Sequence, residues 1–383
     1  MKIPLHTETD VLVIGAGIAG CIAAISLSDR YRITLIDKLA GPVDRIGESL
    51  VPAARRILKK LNLLTDVQDT NADLWIESPG MQSHWGTDRM HLVDHLFNPD
   101  GSVLLLDRKG FEIFLREKAV ERGVSGFWPV TYYSSLYDYD GWEVIVRSDE
   151  NRPRGGRTHC IKTRYVIDAS GRQARFARSQ KIPREHFDNL VTYWASMPDE
   201  TKNRMSTISS EEKGWWYSAP VPHSNRVMAF QTDPDLIDRR AYSDESYFLS
   251  IAKENKEMNK LLEHSSGPVT FHGSVSSNSS RLSQMAGNQW VALGDAAMSF
   301  DPLSSQGMFH AMASAMQFCD LIRQSDCISH PDAQNMEQIK EEYTEQMDQI
   351  WQQYRLHHRM YYLSEQRWKD NPFWSRRHGD PKS

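Results

Sequence analysis

Asp10-Val11-Leu12-Val13-Ile14-Gly15-Ala16-Gly17-Ile18-Ala19-Gly20 is the stretch that decides the fold. Val11–Ile14 form an apolar run, which suits a strand buried on both faces. Gly15-x-Gly17-x-x-Gly20 follows with no spacer. Cys21 to Asp29 then reads as a small-residue helix that can pack closely on a sheet. Arg32-Ile33-Thr34-Leu35-Ile36-Asp37 reads as a second strand ending in an acid. The order predicts a βαβ unit and a parallel sheet.

The glycine triplet alone is a weak signal. Its place between strand and helix, with Asp37 seventeen residues past Gly20, makes it strong. Gly15, Gly17 and Gly20 let the backbone approach a pyrophosphate at a helix N-terminus, where free N–H groups and the macrodipole favour anions. Asp37 is expected to accept hydrogen bonds from adenosine ribose hydroxyls. An acid there argues against a 2′-phosphate, which leaves FAD or NAD.

The remaining composition narrows the class. A chain of 383 residues exceeds one typical domain. A net charge of −5 supplies no basic field, so no nucleic-acid partner is expected. The first ten residues show no basic segment followed by an apolar one, and no run of 18 apolar residues occurs. Neither a signal peptide nor a membrane span is expected. Cys21, Cys160, Cys319 and Cys327 are scattered, with no metal-type spacing. A reducing cytoplasmic setting and no metal are expected, with Cys21 and Cys319 as buried thiols. The eleven tryptophans are assigned mainly to core packing, ahead of an aromatic pocket or docking surface.

Further along, the pattern predicts a helix over 50–64, strand and turn over 74–89, and a helix from Phe111 to Arg122. Antiparallel strands are expected over 129–147, and a loop at Arg152–Arg157. Tyr165–Gly171 and Trp290–Asp295 repeat the buried-strand-then-glycine pattern. Short β-like runs fill 186–275, and Gly307–Ile322 reads as an apolar helix. Met336, Ile339, Tyr343, Met347, Ile350, Trp351, Tyr354 and His358 mark one buried stripe on a tail helix.

Three later segments carry a family resemblance. Asp107-Arg108, Asp168-Ala169-Ser170-Gly171-Arg172, and Gly294-Asp295-Ala296-Ala297 with Asp301-Pro302-Leu303-Ser304-Ser305-Gln306-Gly307 resemble the DR, D-A-x-G and GDA…P…G elements of the flavoprotein hydroxylases. The resemblance covers most of residues 8–325 and implies FAD rather than NAD. It implies an α/β fold: a Rossmann-like FAD-binding domain of the hydroxylase and glutathione-reductase kind, an inserted antiparallel β-sheet substrate domain, and C-terminal helices. The expected division is 1–72, 102–185 and 268–330 for FAD, 73–101 and 186–267 for substrate, and 331–383 for the helical tail. Arg108 is implied over the pyrophosphate or ribityl chain, Gly171 in a turn beside the cofactor, and Gly294 and Asp295 at the ribityl hydroxyls. Lys38, next to Asp37, joins the cofactor contacts. The loop from Pro302 through Ser304 and Gln306 to Gly307 is implied to present N–H groups to the flavin N1–C2=O edge, with Met308 beside it. Reduced flavin carries negative charge there, which the positive end of a helix starting near Gly307 would stabilise.

Arg45-Ile46-Gly47-Glu48-Ser49-Leu50-Val51-Pro52 resembles the GES-x-x-P segment of the tryptophan halogenases, a branch shared with geranylgeranyl reductases. That segment runs past the flavin ring, which makes Glu48 a catalytic candidate and places Arg45, Gly47 and Ser49 at the cofactor. A structural salt bridge is the competing role for Glu48. Halogenation itself is disfavoured. Flavin halogenases use a lysine beyond this segment, and the chain has none between Lys60 and Lys109. Their Trp-x-Trp-x-Ile-Pro element is matched in Trp215-Trp216-Tyr217-Ser218-Ala219-Pro220 only at the first Trp and the Pro. His84, His272 and His310 are candidate acid–base groups, each better read as structural or surface histidines.

Ser83-His84-Trp85-Gly86, Leu106-Asp107-Arg108, Asp301–Gly307 and Glu365-Gln366-Arg367-Trp368-Lys369-Asp370-Asn371-Pro372-Phe373-Trp374-Ser375-Arg376-Arg377 together resemble one subgroup. It is the flavoprotein maturases of cysteine tryptophylquinone amino-acid oxidases, such as glycine and lysine oxidases. The implied partner is the oxidase precursor, and the implied reaction is hydroxylation of its Trp indole through a flavin C4a-hydroperoxide. No side-chain nucleophile is needed for that chemistry. The tail is either a Trp/Arg-rich cap on the FAD domain or a docking element. The alternatives are a small-molecule aromatic hydroxylase, an isoprenoid-type reductase, a halogenase and a non-catalytic FAD scaffold. No second nucleotide fingerprint is present, so NAD(P)H is expected only as a transient reductant.

Overall fold

The computed structural model describes residues 3–69, 73–94, 98–138, 140–148, 156–238, 244–330 and 332–379. Five strands run parallel in the spatial order Ser125–Phe127, Ile33–Ile36, His6–Ile14, Arg157–Asp168, Trp290–Ala292. Four of them are the apolar runs that lead into glycine, acid or turn, and they are buried on both faces as parallel strands require. Arg157–Asp168 is 12 residues long. Its first half also pairs with Gly141–Ser148, which pairs with Val130–Asp138 as an antiparallel meander. The expected loop at Arg152–Arg157 lies largely outside the described residues; Arg157 already begins a strand.

The helix Ile18–Leu27 is buried along its whole length. Its small residues let it sit tightly between the sheet and the helix Gly307–Ser325. Cys21 and Cys319 lie in this packing; burial pushes the Cys319 thiol up to about 12 and the Cys21 thiol higher still. Both are inert packing groups.

The second sheet has seven strands, ordered Thr270–Ser276, Val191–Pro198, Asn225–Thr232, Gly214–Val221, Ser206–Glu211, Gly80–His84, His91–Asp94. All neighbours are antiparallel except Ser206–Glu211 and Gly80–His84. Strand periodicity sends Tyr193, Met197, Trp216, Met228 and Phe230 to one face, where the helices Glu245–Glu254 and Lys256–Glu263 cover them. Trp194, Ala219, Val227 and Ala229 face the other way and pack on Val103, Leu105 and Ile46.

This sheet runs past the expected limit at residue 267, because Thr270–Ser276 pairs with Val191–Pro198. Trp75–Ser78 does not join it. That strand pairs with Val103–Leu106 in a three-stranded sheet with Ser49–Leu50. The 32-residue helix Ala333–Ser364 joins the two cores. Ile339, Tyr343, Met347, Trp351 and Tyr354 pack into the nucleotide-binding core. Tyr362, Phe373 and Trp374 pack with Leu190, Ile208 and Trp215 of the seven-stranded sheet. Among the described residues, no helix is long and apolar enough to cross a membrane.

Candidate functional site

The cradle begins where His6–Ile14 ends. Gly15 has φ +108°, and a Cβ there would stand 2.3 Å from the Ala169 carbonyl oxygen. A Cβ on Gly20 would stand 1.9 Å from the Gly15 carbonyl oxygen. Only glycine fits either position. Gly17 differs, since no protein atom lies within 4 Å of where its Cβ would project. The first bond of the helix is Cys21 N–H to Gly17 C=O at 2.9 Å. The N–H groups from Gly17 to Gly20 precede it and are the helix's free donors.

Asp37 closes this corner from the end of Ile33–Ile36. It accepts from Ala16 N–H at 2.8 Å and Leu39 N–H at 2.7 Å, and pairs with Arg116 at 3.1 Å. The carboxylate expected at a ribose thus braces the turn through protein partners. Arg116, 4% exposed, also donates to the carbonyls of Ala16 at 2.9 Å and Leu39 at 3.3 Å. Sequence reading missed Arg116. Its signal was the i, i+4, i+8 row of Arg108, Glu112 and Arg116, which runs down one face of a helix that also buries Phe111, Phe114 and Leu115. Lys38 is exposed and donates to Gln173 at 3.2 Å, across from the Gly171 turn.

That turn is set by Asp168, fully buried at the end of its strand. It accepts from Ser170 N–H and Oγ and from the N–H groups of Phe176 and Ala177, at 2.6 to 3.0 Å. Burial raises its carboxyl despite these donors. Gly171 emerges from the turn with no protein atom within 4 Å of a would-be Cβ.

Arg108 and the Arg45–Pro52 segment meet. Arg108 Nη1 donates to the Gly47 carbonyl at 2.9 Å, while Nε donates to buried Glu112 at 2.8 Å. Arg45 and Gly47 are exposed. Ser49 pairs with Leu105 in the small sheet. Glu48, 2% exposed, turns inward and accepts from Gly47 N–H at 3.1 Å. Burial raises its carboxyl above the usual glutamate range, against the Tyr217 phenol beside it and the positive charge of Arg108. The salt bridge that competed as an explanation for Glu48 is absent among the described residues; Arg108 pairs with Glu112 instead.

On the far side, Gly294 is wedged against Ala19 and Ala311, and Asp295 keeps 42% of its side chain exposed, 3.8 Å from Arg172 Nε. Arg184 braces this turn through the carbonyls of Asp295 and Ala296 and through Ser280 Oγ. Burial lowers its guanidinium to about 10.

The Pro302–Gly307 loop differs from its expected role. Pro302 has no N–H. Leu303 N–H bonds Asp301 Oδ1, Ser304 N–H bonds the Asp301 carbonyl, Ser305 N–H bonds the Pro302 carbonyl, and Gln306 N–H bonds Ser304 Oγ. Ser304 Oγ itself donates to the Asp301 carbonyl at 2.8 Å. The loop's N–H groups are spent within it. Free donors start at Gly307 and continue through Met308 and Phe309, because the first helical bond is His310 N–H to Gln306 C=O at 2.7 Å. Gln306 is the N-cap and gives no side-chain cap.

The three histidines do not converge. His84 lies 3.8 Å from Glu257. His272 stacks on Trp194 at 3.9 Å and bonds Ser196 at 2.8 Å; burial lowers it. His310 is buried against Phe300 and pushed down to about 4 by that burial. The tail residues are used within the chain. Trp374 donates to the Glu211 carbonyl at 2.8 Å, and Arg376 and Arg377 pair with Asp233 at 2.9 and 2.7 Å. The tail therefore caps the seven-stranded sheet rather than the FAD domain.

These features fit a dinucleotide. Two helices present free N–H groups, and a Cβ added at Gly17, Gly171 or Gly307 would project into open space, which leaves room for a ligand to approach the backbone there. Gly15, Gly17, Gly20 and Asp37 fit the adenosine and pyrophosphate half, and Asp295, Gly307 and Met308 the ribityl and ring half.

The FAD-binding domain family profile matches residues 8–325. LodB of Marinomonas mediterranea, provisionally classed as an FAD-dependent oxidoreductase, is 28% identical over 96% of each chain. Among solved structures, CmlS, a flavin-dependent halogenase, superposes with a TM-score of 0.83 at 21% identity, over 98% of this chain and 68% of its own. QhpG, a peptidyl tryptophan dihydroxylase essential for tryptophylquinone cofactor biogenesis, gives 0.77 at 21% identity, over 98% of this chain and 80% of its own.

Proposed function

The chain belongs to the FAD-binding domain family, and from that premise we propose that it is a monooxygenase that hydroxylates a tryptophan side chain in the precursor of a quinone-cofactor amino-acid oxidase. Bound FAD supplies the electrons and activates dioxygen. The protein's part is to seat the cofactor, exclude water and orient an electron-rich ring. The observation that carries the reading is the buried Glu48 carboxyl beside Tyr217, in a chain with no lysine from 61 to 108. A carboxyl that holds its proton to higher pH can exchange a proton with an indole or its hydroxylated product. Without an amine in that stretch, the residue type that serves flavin halogenases is missing.

Pro302, Ser304 and Gln306 act in this reading by shaping the turn, and Gly307 and Met308 offer the N–H groups. Arg45, Gly47 and Ser49 line the approach to Glu48. QhpG's action on a peptidyl tryptophan supports a protein substrate. A reduced nicotinamide serves as transient electron donor.

The test is co-expression of a candidate oxidase precursor with and without this chain, followed by peptide mass analysis. The reading expects oxygen added to the precursor's tryptophan only when the chain is present. Equal oxidation in both samples overturns it. Halogenation is the second reading, favoured by the likeness to CmlS; it requires a halide-dependent product.

A further inference from the structure

Three rings on successive turns of the tail helix converge on one residue, Asp301: Tyr354 on its backbone N–H, His358 and Tyr362 on its carboxylate. Tyr354 Oη accepts from Asp301 N–H at 3.0 Å. His358 Nε2 lies 3.1 Å from Asp301 Oδ2, and Tyr362 Oη donates to the same oxygen at 2.8 Å. Their i, i+4, i+8 spacing puts all three on one helix face. Asp301 is 1% exposed, and its other oxygen takes Leu303 N–H at 2.8 Å. Burial would raise this carboxyl, but the His358 contact and the donors hold it below the usual range. A buried carboxylate with every oxygen engaged is a rigid anchor.

The anchor lies at the root of the Pro302–Gly307 loop, which sets where the helix Gly307–Ser325 starts. Tyr362 also reaches the inserted sheet, because Trp215 Nε1 donates to Tyr362 Oη at 3.0 Å. Trp215 and Tyr217 are alternate residues of one strand and share a face. That strand therefore meets Glu48 through Tyr217 and the cofactor loop through Trp215.

We propose that Tyr362 is a positioning residue: through Asp301 it fixes the free N–H groups of Gly307 and Met308 at the flavin's pyrimidine edge and ties them to the substrate sheet. The inference rests on the reading of this loop as the flavin's seat. Its effect is felt most by the reduced cofactor, whose negative charge those groups meet.

The test uses the full-length FAD-loaded protein. Tyr362→Phe keeps the ring and its packing against Trp85 and Trp374 and removes only the hydroxyl. The midpoint potential of bound FAD is read beside FAD affinity and thermal midpoint. We expect the oxidised form to bind within threefold of wild type. The reduced form should bind about tenfold more weakly, a fall of about 30 mV for a two-electron couple. Asp301→Asn should lower the potential in the same direction, which keeps the test decisive if Tyr362→Phe folds poorly. An unchanged potential in both folded variants overturns the inference. If wild-type protein binds no FAD, the reading of the seat fails instead.

Discussion

Arg116 Nη2 stands 3.1 Å from Asp37 Oδ2, where the end of the second strand meets the glycine turn that follows the first. The same guanidinium holds the Ala16 carbonyl at 2.9 Å. A residue from a third element thus sets the shape of a corner that the glycine triplet alone leaves open. Arg116→Met should strand the Asp37 carboxylate with a lost partner. Breaking a buried pair costs about 3–5 kcal/mol. Chemical denaturation should show a loss of that order, and FAD titration a weakening of at least about tenfold. Arg116→Lys should recover only part, because a single ammonium cannot serve both Asp37 and the carbonyls.

Gly17 and Gly20 should separate function from folding. A Cβ on Gly20 meets the Gly15 carbonyl oxygen at 1.9 Å, so Gly20→Ala should reduce soluble yield and thermal midpoint. A Cβ on Gly17 meets no protein atom within 4 Å. Gly17→Ala should fold with an unchanged thermal midpoint for the apoprotein, yet purify with little FAD. Equal FAD content in Gly17→Ala and wild type would contradict the placement of the pyrophosphate.

Glu48→Gln removes a carboxyl whose proton is held more firmly in the folded chain. A group with a raised folded pKa contributes stability at low pH that is lost as pH rises above its unfolded value. The Gln variant should therefore be no less stable than wild type at neutral pH, and its advantage should grow from pH 4.5 upward. Turnover should fall about 10²–10⁴-fold, the usual worth of a positioned acid–base group. Full turnover in a folded, FAD-loaded Glu48→Gln protein would return Glu48 to a structural role.

His310 predicts the acid limb of stability. Burial takes it from 6.5 down to about 4, so the unfolded chain binds a proton that the folded chain refuses. Stability should fall as pH drops from 6.5 toward 4, by roughly 3 kcal/mol in all. Asp295, the charge that opposes this shift, moderates it. His310→Leu should flatten that limb in thermal melts across the interval.

Four of the five parallel strands were legible because each announces itself as an apolar run leading into glycine or acid, and the Gly15–Gly20 turn has one physical solution. Asp168 and Asp295 were legible for the same reason. Ser125–Phe127, with no apolar run, was not. Arg116 was hidden because its row with Arg108 and Glu112 at i, i+4, i+8 reads as a solvated charged face, and only the fold buries it against Asp37. The loop from Pro302 was read correctly as a turn before a helix, but its hydrogen bonds depend on Asp301, whose partners come from residues 354–362. Tyr354 and His358 were visible as a stripe on the tail helix; their target was not, since a stripe states that a face is buried but not against what. The edge strand Thr270–Ser276 falls among the β-like runs read over 186–275 but lies past the domain limit expected at 267, because short β-like runs carry no record of their pairing.

The central claim is oxygen transfer to a protein-bound indole by a flavin seated in this cradle. The most direct measurement supplies purified, FAD-loaded protein with a reductant, a candidate oxidase precursor and isotopically labelled dioxygen, in halide-free and halide-containing buffer. The account predicts labelled oxygen on the precursor's tryptophan at the same rate in both buffers. An unmodified tryptophan, or a halogen on it that appears only with halide, would contradict the account.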